Sequence, residues 1–132
     1  MTQTEHYLDT RTVNIDTNLS GKENLLVTLD ATDEGVVNLA ASGAKSAFVL
    51  ITGADGSSVP TIGTIVTDGL VKVKIGGNVT PGDFLSPKSD GTGKAVTCTA
   101  DGQAYSLLAM GKGVADDIIV AKVCHGYFYV AA

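Results

Sequence analysis

The sequence predicts an all-β fold: a small single-domain β-barrel or sandwich with an extended N-terminal arm. Three observations carry this. Glycine supplies 16 of the 132 residues, well above its usual share of about 7%. Aromatic residues make up only 5% and Trp is absent, so the core must come from Val, Ile, Leu and Ala, of which Val and Ile favour strands. Short apolar or alternating runs also recur about every 8 to 15 residues between turn residues, the rhythm of a small barrel or sandwich.

Residues 1–35 form the arm and residues 36–132 the barrel-like domain. The arm is rich in Thr, Asn and Asp and carries nine charged residues, too polar a stretch to fold alone. Its first nine residues read as flexible. Val13 and Ile15 alternate with Asn14 and Asp16, enough for one short strand, and residues 25–29 make another. A segment of this kind is expected to order against a partner or a neighbouring subunit; the alternatives are a disordered tail and a strand in the protein's own sheet. The residues placed at that interface are Tyr7, Leu8, Arg11, Val13 and Ile15. Arg11 is the chain's single arginine, and its planar fork suits a bidentate carboxylate contact. Val13 and Ile15 are expected to fill pockets on a sheet edge to which the arm adds a strand.

Beyond the arm, residues 38–46 are the best helix candidate, weakened by Gly43. Residues 47–51, Ala-Phe-Val-Leu-Ile, are too short for a helix and end in turn residues, so they read as a buried strand. Residues 61–66 form another strand. In residues 70–75, Val71, Val73 and Ile75 face inward while Lys72 and Lys74 face water. Residues 83–85 are a short strand, and Asp90-Gly91 turns the chain into a returning strand over residues 94–99. Strands over residues 104–110, 118–124 and 127–130 close the chain, with Ile119, Ala121 and Val123 on the core side.

No catalytic constellation is present. The two histidines are His6 and His125. Cys124 and His125 are adjacent and so point to opposite faces of a strand, which separates a nucleophile from its base and one metal ligand from the next. The Gly91-Thr92-Gly93-Lys94 segment ends like a phosphate loop, but Ala95 and a strand follow where a Ser/Thr and a helix are needed. Asp116 and Asp117 read as solvated turn residues. No enzyme activity, cofactor or metal is therefore expected. Cys98 and Cys124 lack a disulfide-framework or metal-site spacing and read as reduced, partly buried thiols. The net charge of −5, with nine dispersed basic residues, argues against direct nucleic-acid binding. No apolar run reaches the roughly 18 residues of a membrane span, and the first ten residues do not resemble a signal peptide.

The order and spacing of several turn-strand units are similar to those of the phage capsid-cement, or head-decoration, proteins. The units are Val79-Thr80-Pro81-Gly82-Asp83-Phe84-Leu85, then Asp90-Gly91-Thr92-Gly93-Lys94-Ala95-Val96, then residues 104–111, and finally Asp117-Ile118-Ile119-Val120-Ala121-Lys122-Val123. The run at residues 70–77 fits the same pattern more loosely, and the first 35 residues match nothing in it. The resemblance implies a compact β-barrel-like or β-tulip-like fold, and a structural protein made in the host cytoplasm and carried on the capsid surface of the virion. It implies the major capsid protein as partner, and a homo-oligomer, a trimer first and a dimer second. It also implies a capsid-stabilising role against internal DNA pressure. The alternatives are another virion part, such as a head-fibre base or a tail-tube protein, and a small carbohydrate- or ligand-binding module. The last is disfavoured by the absence of Trp, with Tyr127 and Tyr129 read as packed in the final strand.

Overall fold

The computed structural model describes residues 5–41, 46–54 and 61–130. Nine strands follow in order: β1 (His6–Asn14), β2 (Leu26–Leu29), β3 (Val37–Leu39), β4 (Ala47–Thr52), β5 (Ile62–Lys74), β6 (Phe84–Pro87), β7 (Ala95–Thr97), β8 (Gln103–Ala109) and β9 (Ile118–Phe128). They form one antiparallel sheet in the order β3-β2-β4-β5-β9-β8-β6-β7, with β1 added against β5. The sheet curls into a half-barrel. Leu26 N donates to Gly93 O at 2.7 Å and Gly76 N to Ala95 O at 2.9 Å, so the chain around β7 is tied back to the other end of the sheet. Ala47 is clamped from across the curl: its N–H donates to Ser106 Oγ at 3.1 Å, and His125 Nε2 lies 2.9 Å from its carbonyl. The all-β, single-domain expectation holds, and among the described residues there is no helix.

Strong β-formers dictate the elements, but three boundaries differ from the sequence reading. The helix expected at residues 38–46 is not formed at its start, because Asn38 and Leu39 belong to β3, paired with Thr28 and Val27. Asp30 organises the preceding turn. Its Oδ1 accepts the N–H groups of Thr32 and Asp33, and its Oδ2 accepts Asn38 Nδ2. This network favours a hairpin over the weak local helix signal; residues 42–45 lie outside the described ones. The strands expected at residues 61–66 and 70–75 fuse into β5. Gly69, at φ +114°, is a bulge inside the strand and not its end. A Cβ there would stand 2.3 Å from His6 O, so only glycine fits. The two final strands likewise fuse into β9. Gly126 sits opposite Tyr105, whose hydroxyl occupies the space a Cβ would take, 2.4 Å away; the tyrosine covers a glycine that reads locally as a breaker.

Residues 6–9, expected to be flexible, are part of β1, while residues 1–4 lie outside the described ones. β1 runs antiparallel along β5 from His6↔Leu70 to Asn14↔Ile62. Thus Val66 has Thr10 on one side and Val49 on the other.

Two apolar clusters result, because β2, β4 and β5 are buried on both faces. Leu26, Val49, Val66, Val71, Val73, Ile75, Leu85, Leu107, Ile119, Ala121 and Val123 belong to the larger one, enclosed by the curl. The smaller joins Val27, Val37, Leu50 and Ile65 to Val13, Ile15 and Leu19. The inward assignments of Val71, Val73, Ile75, Ile119, Ala121 and Val123 hold.

Asp30 gives a pH prediction. The amides of Asp33 and Thr32, then the Asn38 side chain, hold its carboxyl below the ordinary aspartate value of 3.8. A carboxylate depressed in the folded state adds stability above its unfolded value and loses it as pH falls through the native one. The melting temperature should therefore drop as pH falls below 3.8, and Asp30→Ala should make that drop shallower. An unchanged slope in the variant would show that the turn carries none of it.

Candidate functional site

Two features of β1 set it apart. Among the described residues its outer edge is unpaired from His6 to Thr12, while β5 holds its inner edge. An apolar groove of about 200 Å³ lies beside it, lined by Val13, Leu29, Phe48 and Ile65, with Arg11 and Glu34 supplying one charge of each sign. A β-bulge interrupts the regular pairing with β5 between Tyr7 and Thr10. There Tyr7 is 38% exposed and Leu8 66%. The Tyr7 hydroxyl donates to Glu5; burial, that bond and the glutamate charge push it up to about 12. Asp9 accepts the Thr67 hydroxyl at 2.7 Å.

The five residues expected at an interface therefore divide. Tyr7, Leu8 and Arg11 lie on the surface along one strand. Val13 and Ile15 are 3% and 1% exposed, inside the chain's own smaller cluster, and cannot fill a partner's pockets. The reason is two-sided burial: β2, β4 and β5 present a second apolar face, and the arm covers it. Sequence reasoning missed Leu29, Glu34 and Phe48 as neighbours of Arg11. Phe48 is half-buried on the face of β4 opposite Val49, and only alternation within an all-apolar run could have signalled this.

The acidic residues expected in turns lie there. Asp116 lies in a turn at φ +72° and pairs with Lys94 at 2.7 Å, while Asp117 Oδ2 accepts Val114 N at 2.9 Å. Asp90 Oδ1 accepts both the amide and the hydroxyl of Thr92 in the hairpin turn. Cys98 is buried and Cys124 half-buried, both free, and burial pushes the Cys98 thiol up against a smaller opposing bond from Ser86. A reducing agent should accordingly leave the melting temperature unchanged; a drop of several degrees would reveal a bridge. The packing expected of Tyr127 and Tyr129 is not found. They are 56% and 72% exposed, because β9 alternates to its end and the chain beyond it leaves the sheet.

The class these features define is a small curled antiparallel β protein whose distinguishing surface is an open-edged strand beside an apolar groove. No family model and no curated protein matches the chain. Among solved structures, the head fiber gp8.5 N base of bacteriophage phi29 is similar in fold, with a TM-score of 0.60 and 13% sequence identity over 88% of this chain and 93% of that one.

Proposed function

We propose that this chain is a structural protein of a phage virion, seated on the outside of the head as the base of a projecting part. The fold shared with the phi29 head fiber base over nearly the full length of both chains supports this most. The surface of β1 suits attachment to a major capsid protein. The groove beside the strand, lined by Val13, Leu29, Phe48 and Ile65, offers an apolar seat. Many copies on one lattice make modest contacts sufficient.

A second reading is a cement protein that stabilises the head. The turn-strand order over residues 76–126 favours it. Deleting the gene from the phage that encodes the chain separates the two. On the first reading the heads keep their heat resistance and lose a projection. On the second they burst at a lower temperature, because a protein bound only to the assembled lattice stabilises it by mass action. Heads unchanged in both respects would contradict both.

A further inference from the structure

We infer that the outer edge of β1 pairs with the same edge of a second copy, antiparallel and centred on Thr10, so that two sheets become one across a two-fold axis. This does not rest on the virion assignment. It starts from where the main-chain groups of β1 point. Asn14 pairs with Ile62 on one side, and its N–H donates to Gly35 O at 2.8 Å on the other. From Thr10 to Asn14 the pairing with β5 has no register shift. Main-chain groups alternate along a strand, so those of Thr10 and Thr12 point outward as Asn14's do. Nothing among the described residues pairs with them. A long open edge is a template for another strand, and among the described residues none covers this one.

Charge selects the occupant and the register. Around a two-fold on Thr10, Asp9 faces Arg11 of the second copy, and the same pair forms again by symmetry. Centring on Asp9 or on Arg11 sets like charges opposite each other, which is destabilising. Centring on Thr12 places Arg11 against Val13, and the Asn14 amide at that end is already engaged by Gly35. Only the Thr10 register brings Asp9 and Arg11 together. Outward-pointing Thr10 then makes the two hydrogen bonds of a closely paired position, and Asp9 and Arg11 occupy the neighbouring position, where side chains approach most closely. Neither has an ion-pair partner in its own chain among the described residues.

The interface is one pair of strands, below the roughly 1,200 Å² of a standard stable complex. The free dimer should therefore dissociate in about the micromolar range or above.

The test is sedimentation of the full chain across a concentration series from low micromolar to about millimolar, with the melting temperature of every variant measured alongside. The expected result is a monomer–dimer equilibrium. Thr10→Pro removes an outward N–H that β5 does not use, so it should abolish the dimer with little change in melting. Arg11→Asp should weaken the dimer by roughly tenfold or more, and Asp9→Arg combined with Arg11→Asp should restore it. Should Thr10→Pro fail to fold, the charge series decides. A monomer at every concentration, a trimer, a dimer indifferent to Thr10→Pro or Arg11→Asp, or a charge swap that fails to restore association would each overturn the inference.

Discussion

Val73→Asp should leave the chain without a cooperative unfolding transition. Val73 is fully buried in the larger cluster, on β5 opposite Ile119. The substitution replaces an apolar side chain, whose burial is worth about 1.5–3 kcal/mol, by a carboxylate with no cation facing it in that cluster. Removing an unpaired carboxylate from water costs several kcal/mol more even after relaxation. The sum is comparable with a whole domain's stability of about 5–15 kcal/mol. Its neighbour Lys72 is exposed on the same strand, so Lys72→Glu should stay within about 0.5 kcal/mol of the wild type. Far-ultraviolet circular dichroism during heating distinguishes these outcomes. A wild-type melt for Val73→Asp would mean that β5 does not face the core as described.

Deleting residues 1–16 should destabilise the protein severely. The deletion removes β1, exposing the edge of β5 over residues 62–70. It also takes Val13 and Ile15 from a cluster in which they lie with Leu19, Val27, Val37, Leu50 and Ile65. Losing two such side chains costs about 3–6 kcal/mol in burial alone, before the lost ladder is counted. The truncated chain should melt far below the full one or fail to stay soluble. If it melts normally, β1 is an accessory and the smaller cluster does not need it. Leu8→Asp, by contrast, changes an exposed side chain on the same strand and should leave the melt within about 0.5 kcal/mol of wild type.

That contrast shows what could be read from the sequence. Alternation at Val71, Val73 and Ile75 and at Ile119, Ala121 and Val123 is a local signal, and it named the inward faces correctly. The arm was legible as extended. That it is a strand of the chain's own sheet stood only as an alternative to a partner, because the pairing of His6 with Leu70 joins residues 64 positions apart and no local pattern encodes it. The same distance concealed the smaller cluster. Leu50 and Ile65 look like ordinary members of buried strands until β1 is seen to cover them. Gly69 and Gly126 read as breaks because locally they are; a bulge against His6 and the ring of Tyr105 turn them into strand interior. Arg11 was singled out for its chemistry alone, while its neighbours Glu34 and Phe48 are brought to it by the curl of the sheet.

The proposed place on the outside of a phage head is tested by counting copies of the chain in purified virions of a phage that carries its gene, and by locating them by cryo-electron microscopy. A fixed ratio to the major capsid protein, with density outside the shell that disappears in virions lacking the gene, is the predicted result. Purified virions without the chain, or copies confined to the interior or the tail, would contradict it.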